Sequence, residues 1–415
     1  MSLAASAPPE KPRLRSAVRR VEGMPIVSVR VLFPGGARCE TIPGQALVTG
    51  RMLAEGTRRR GWRQLAEDLE GRGMILQTSG TAESLTLGLE ALASDLDRAL
   101  AWAAEIALEP TFPADRCDWL ARQATAELAS LGDQPEVATA WRFSAQLYHP
   151  HPRQRPVLGT PEGLALVDAE ACRAFHQSSV AEGAIVVVTG ELEPDAVRRR
   201  IEELFALPVA APSLPFVEPP RPVGLGSRQV VPIRTGEQAH LYLGHLTVDR
   251  RHPDYLPLEL LAVILGAGAG LAGRIPGRIR EQEGLAYSTF AQTTLGAGLD
   301  PGRLIAYVGT SPETAAQAER GVREELERLV EQGLGDDEVN EARAYLLGRE
   351  PFRRETARQY ADLLVEALFY GLPEDDLELR AKRLQELDRP SLEELARRHI
   401  RPQELKVTIG LPAAG

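Results

Sequence analysis

At 415 residues the chain exceeds a usual single core, so two domains of about 200 residues are expected. A hydrophobic content of 43% and a charged content of 26% describe an ordinary globular chain. The net charge of −10 and the lack of a basic cluster interleaved with aromatics argue against a nucleic-acid partner. Cys39, Cys117 and Cys172 are odd in number and far apart, so they outline neither a disulfide framework nor a paired-cysteine metal motif. No apolar run approaches the ~20 residues needed to span a bilayer. The first twenty residues hold Pro8, Pro9 and Glu10 instead of the apolar stretch of a secretory signal. The expectation is a soluble cytoplasmic protein with no membrane partner.

In chain order, residues 1–12 read as a disordered tail and 13–206 as a first domain. The β-branched alternation of Ile26, Val27, Val29 and Val31 predicts a strand over 25–33 that ends at Pro34-Gly35-Gly36. Helical patterns follow over 46–53 and 62–72, then strands over 74–78 and 84–91. A helix over 94–108 takes Ser94 as its N-cap, and helices over 115–131, 136–148 and 164–177 come next. Ile185, Val186, Val187 and Val188 mark a fully buried strand over 184–189. Residues 207–224 hold Pro208, Pro212, Pro215, Pro219, Pro220 and Pro222 and read as an extended linker.

The second domain, 225–415, repeats the order of the first. Strands are predicted over 240–244, 285–294, 303–309 and 405–410, with helices over 256–265, 311–330, 336–348 and 355–370. Corresponding elements keep a near-constant offset: Val27 to His240 is 213 positions, and Val186 to Lys406 is 220. The fold class is therefore α+β, with two homologous domains whose largely antiparallel sheets are covered by helices.

Gly268–Gly273 spells G-x-G-x-x-G, but a helical run precedes it where a dinucleotide site needs a strand. It reads instead as an interhelix turn, or as a glycine loop open to a peptide backbone. His149-Pro150-His151 has two rings restrained by a proline and reads as a loop. Arg280 at the end of a short helix and Tyr287 at the start of a strand lie seven positions apart across Gly284. Both are donors suited to a carbonyl or carboxylate. On chemistry alone, a helix-terminal arginine favoured by the dipole, beside an interfacial tyrosine, is the favoured account of the two.

The segment from Gly44 to Thr57, with Ala46, Met52, Leu53 and Gly56, resembles the zinc-motif helix of the pitrilysin and mitochondrial-processing-peptidase family, the insulinase superfamily. Active members carry H-x-x-E-H there, two histidines on one helical face for zinc and a glutamate for the attacking water. In this chain Leu47 and Arg51 stand at the histidine positions and Gly50 at the glutamate position. Glu127 stands where the resemblance places the third zinc ligand, and Pro156-Val157-Leu158-Gly159-Thr160 is similar to a loop of the family. The segment Arg280–Ser288 is similar to the one that donates an arginine and a tyrosine to substrate in the second domain.

The resemblance implies two domains facing each other as half of a clamshell, and a non-catalytic, substrate-positioning subunit of a heterodimeric zinc metallopeptidase. Its partners would be a homologous chain with an intact zinc motif and an unfolded peptide. Arg280 and Tyr287 would bind that peptide from the cleft, and zinc would belong to the partner, with none in this chain. Arg51 is expected to pair with Glu127 in the metal's stead. The alternative is a structural scaffold resembling the core subunits of respiratory complexes. A third reading, a self-sufficient metallopeptidase, requires His149, His151 and Glu127 to converge.

Overall fold

The structure is a computed structural model that describes residues 14–207, 214–221, 225–267, 273–373 and 375–413, without the Tyr287 side chain. Ten strands form two five-stranded sheets among the described residues. The first is built from β1 (Leu14–Arg20), β2 (Ile26–Pro34), β3 (Ile75–Gly80), β4 (Ser84–Leu92) and β5 (Ala184–Gly190), in the order β1-β5-β2-β4-β3. The second is built from β6 (Ser227–Ile233), β7 (Ala239–Leu246), β8 (Ala286–Leu295), β9 (Arg303–Thr310) and β10 (Lys406–Pro412), in the order β6-β10-β7-β9-β8. The two orders are the same order, so the repeat seen in the sequence is a repeat of topology. In each sheet the edge strand that opens the domain pairs in parallel with the strand that closes it (β1 with β5, β6 with β10). The other pairings are antiparallel. The sheets are thus mixed, with an antiparallel majority.

The central strands of each sheet are buried on both faces, and their second face is covered by a helix from the other domain. Val186 and Val188 of β5 join the first core, while Ile185 and Val187 point the opposite way. There they meet Ala361, Leu364, Val365 and Leu368 of the helix Ala357–Tyr370, which belongs by sequence to the second domain. Conversely the helix Pro135–Tyr148 of the first domain packs Phe143, Leu147 and Tyr148 on Tyr242, Leu246, Ile305 and Tyr307 of the second sheet. Both helices run 14 residues and start 222 positions apart, at 135 and 357, so the exchange is reciprocal. This double coverage explains why β5 reads as a continuous apolar run where a half-exposed strand would alternate. Burying a side chain the size of Phe143 contributes about 2–3 kcal/mol. The exchange therefore fastens the halves to each other.

Polar contacts reinforce the exchange. Arg30 on β2 bridges Glu90 of its own sheet at 2.7 Å and Asp362 of the incoming helix at 2.6 Å. Thr189 Oγ1 donates to the Ala357 carbonyl at 2.6 Å, and Tyr242 Oη to the Glu136 carbonyl at 3.1 Å. Arg38 Nε donates to both oxygens of the fully buried Asp300, at 3.1 and 3.0 Å, and Arg38 also holds the Val217 carbonyl of the linker.

Several boundaries differ from those expected. Ser94 lies in a 3₁₀ turn, Ala93–Asp95, and the helix begins at Leu96 with no side-chain cap, so Ser94 is not its N-cap. The helix expected over 164–177 is two: Pro161–Leu164, and Ala169–Glu182, where Asp168 Oδ1 accepts from the Ala171 amide at 2.8 Å. Strands β1 and β6 and the helices Pro194–Leu204, Asp376–Glu386 and Arg389–His399 were not expected from the sequence. Residues 1–13, and Gly268–Leu271 and Ala272 of the glycine motif, lie outside the described residues. Among the described residues no helix is long and apolar enough to cross a membrane.

Candidate functional site

The helix Gln45–Met52 carries the degenerate motif, and main-chain contacts fix its start. Its N-cap Gly44 is left-handed (φ 95°) and offers no capping side chain. Glu40 does that work, accepting from the Gly44 and Ala46 amides at 3.0 Å each. Burial pushes the Glu40 carboxyl up to about 7, against the pull of those two amides. The loop resembling the family's closes over the same end. A Cβ on Gly159 would strike the Gly44 backbone and the Pro43 carbonyl. On the helix flank, Gln45 Nε2 donates to the Ala171 carbonyl at 2.8 Å.

On the motif face, Leu47 is buried in the first core at 6% exposure. Gly50 lies against β3 with nothing between the two backbones. A Cβ on Gly50 would overlap the Gly80 nitrogen and the Ser79 carbonyl carbon, and one on Gly80 would overlap the Ala46 carbonyl. Arg51 reaches the neighbouring helix Ala114–Gly132, where its Nη2 donates to Glu127 Oε2 at 2.8 Å. The structure therefore brings together all four motif positions, Leu47, Gly50, Arg51 and Glu127, on one short patch.

These residues do not fit a zinc ion. Leu47 offers no donor, the space beside Gly50 is filled by backbone, and a guanidinium already occupies the one carboxylate. The other proposed ligand set does not assemble. His149 Nδ1 lies 2.9 Å from Gln154, and His151 Nε2 lies 3.5 Å from Asp300, both away from Glu127 on its pair with Arg51. Among the described residues no three His, Cys, Asp or Glu side chains converge on a metal position.

The second expected constellation lies on the second sheet. Arg280 belongs to the short helix Gly277–Gln282, with its side chain 31% exposed and its Nε 3.9 Å from Glu281. The cavity of about 480 Å³ where the two domains meet is walled by Glu83, Arg153, Gly298 and Tyr370, and Arg280 is not on its wall. The Tyr287 side chain lies outside the described residues, but its backbone is placed. Ala286 pairs with Thr310 and Ser288 with Gly309, so Tyr287 is the extra residue of a bulge. Sequence reasoning missed Gly80, Glu40 and the bulge. The signal for Gly80 was present, because Ser79-Gly80 closes the strand that follows the motif helix.

The insulinase family, peptidase family M16, matches residues 16–161, and the peptidase M16 inactive domain matches residues 167–346. A protein of Mycobacterium tuberculosis named as an uncharacterized zinc protease is 29% identical over 355 residues, 83% of this chain and 80% of its own. A non-peptidase homolog, YmxG, of Helicobacter pylori is 24% identical over 392 residues, 93% of this chain and 89% of its own. Among solved structures, a peptidase M16 inactive domain from Pseudomonas fluorescens superposes with a TM-score of 0.87 at 23% identity, covering 97% of this chain and 96% of that one. A chain of complex III2 from Candida albicans shares the fold at a TM-score of 0.78 and 14% identity, covering 95% of this chain and 93% of that one. With both of its halves matched and its motif helix closed at Gly50, the chain belongs to the insulinase (M16) family, as a non-catalytic member.

Proposed function

We propose that the chain is the substrate-positioning subunit of a heterodimeric zinc metallopeptidase that acts on unfolded peptides. The partner would be a homologous chain with an intact H-x-x-E-H helix, and the zinc would be the partner's. The observation that carries the reading is the bulge at Tyr287, directly after the helix bearing Arg280. A bulge re-aims one side chain of a strand and recurs beside active sites. Arg280 and Tyr287 would donate hydrogen bonds to the peptide carbonyl, while the Gly50–Gly80 contact leaves the chemistry to the other chain. Both residues fall in the segment matched by the M16 inactive domain.

The experiment is co-expression with the H-x-x-E-H homologue of the same genome, followed by co-purification and peptidase assay. The expected result is a complex that cleaves an unfolded peptide, while this chain alone is inert and gains nothing from added zinc. A chelator-sensitive activity from this chain alone contradicts the proposal. A complex that forms but shows no peptidase activity favours the scaffold reading.

A further inference from the structure

A cleft of about 920 Å³ lies between the helices Ala114–Gly132 and Pro135–Tyr148 on one side and the end of β6 on the other. Its volume is in the range of sites that hold a short peptide or a small ligand. Leu128, Ala138, Trp141 and Val231 supply an apolar lining, and three arginines, Arg142, Arg155 and Arg234, stand around it. Two of them come from the first domain and one from the second.

Most arginines of this chain lie within 4.0 Å of a carboxylate, including Arg38, Arg60, Arg250, Arg274 and Arg380 in the interior or near it. Arg142 and Arg234 have no carboxylate within 4.0 Å among the described residues, and Arg155 acts at longer range on the buried Glu40 carboxyl. Asp133 and Glu162 also line the cleft and pair with none of them. In a chain of net charge −10, three guanidinium groups against two carboxylates leave this cleft positive beside its apolar wall. The last residues of the edge strand β6, Val231, Pro232 and Ile233, form part of the cleft wall.

We propose that this cleft binds an extended acidic peptide segment with apolar residues interleaved. Carboxylates of the segment pair with Arg142, Arg155 and Arg234, each able to take a carboxylate in a bidentate fork. The intervening apolar side chains lie against Trp141, Leu128 and Val231. The charge of the arginines selects the acidic segment over a basic one. Arg280 is not on this cleft, and its test uses this chain alone, so it stands or falls independently of the paired-peptidase reading.

The test is fluorescence polarisation of the full chain with a fluorescein-labelled peptide of alternating Glu and Leu, beside one of alternating Lys and Leu. A thymidine oligonucleotide is the third probe. The Glu/Leu peptide should bind, weaken on addition of about 0.5 M salt, and change Trp141 emission, a change absent in Trp141→Phe. Each of Arg142→Gln, Arg155→Gln and Arg234→Gln should weaken it about three- to tenfold, and the triple variant should abolish binding. Arg199→Gln, an exposed arginine on the remote helix Pro194–Leu204, should leave binding unchanged. Each variant is read only alongside a thermal midpoint equal to the parent's, and the single variants serve if the triple fails to fold. No binding, equal binding of the Lys/Leu peptide, or unaltered affinity in the three single variants overturns the proposal. Tighter binding of the oligonucleotide than of the Glu/Leu peptide overturns it in favour of a nucleic-acid strand.

Discussion

Gly50 and Gly80 meet main chain to main chain: a Cβ on Gly50 would penetrate the backbone at Ser79 and Gly80, and one on Gly80 the backbone of the same helix at Ala46. The position where the family's catalytic glutamate belongs is therefore closed, as well as lacking the residue. Helix Gln45–Met52 sits lower on β3 than a helix carrying a glutamate there could. Gly50→Ala should destabilise the chain by about 3 kcal/mol or more, at the upper end for overpacking, as read by urea denaturation. Restoring the whole motif with Leu47→His, Gly50→Glu and Arg51→His should yield an unstable protein without stoichiometric zinc by metal analysis. A folded, zinc-loaded triple variant would contradict this account of the helix.

Arg51 and Glu127 make a different kind of contact, with side chains 26% and 45% exposed. Solvent screens such a pair, so Arg51→Ala and Glu127→Ala should each cost about 1 kcal/mol or less. Their double-mutant cycle should give a coupling of the same small size. A cost of several kcal/mol would mean that the pair is a buried structural element.

At the boundary between the domains the balance is the reverse. Asp300 has no exposed side-chain surface and Arg38 only 10%. Arg38→Ala would leave a buried carboxylate without its cation, and should cost about 3–5 kcal/mol. Phe143→Ala, which empties the contact of the exchanged helix with the second sheet, should cost a similar 3–5 kcal/mol. Because each domain holds a helix of the other, both variants should unfold in one transition by calorimetry. Two separate transitions would show that the exchange does not couple the halves.

Much of this was legible in the residues. Most strands, the repeat and a helix over 46–53 follow from alternation, turn residues and spacing, since a strand with one wet face or two dry ones writes its burial into its sequence; that this helix carries a degenerate zinc motif comes from the family resemblance. β1 and β6 do not, because Leu14–Arg20 and Ser227–Ile233 are edge strands held by backbone pairing, with arginine or polar residues at outward positions. The constant offset would have found them as a pair, with Leu14 and Ser227 opening the strands 213 positions apart. The exchange of helices is beyond sequence reasoning of this kind. The apolar face of Pro135–Tyr148 announces a sheet but not which sheet. The closure at Gly50 likewise depends on where β3 lies, and a glycine alone does not state what approaches it.

Two histidines give the chain a calculable acid sensitivity. Burial lowers His176 and His245 to about 4, from an ordinary 6.5. His176 Nε2 donates to the Ala107 carbonyl at 2.8 Å as a neutral ring, and His245 Nδ1 lies 3.0 Å from the Leu246 carbonyl. Between about pH 6.5 and 4 the unfolded chain binds these protons and the folded chain does not, so stability is present above 6.5 and falls with pH. Each contributes a slope approaching about 1.4 kcal/mol per pH unit in that window. His176→Gln, measured by urea denaturation from pH 7 to 4.5, should flatten the fall relative to the parent. An unchanged slope would mean that His176 is protonated in the fold.

The central claim, that this chain positions substrate for a zinc held elsewhere, is tested most directly by kcat/KM of the reconstituted pair. The zinc-motif homologue is combined with this chain as parent, Arg280→Ala, Tyr287→Phe and the double variant, and assayed on an unfolded fluorogenic peptide. The variants should still fold and assemble. Loss of a donor to a developing oxyanion typically lowers the rate about 10²–10³-fold, and lost substrate anchoring should raise KM besides. A kcat/KM in the assembled double variant equal to that of the parent pair would contradict the claim and leave the scaffold reading in its place.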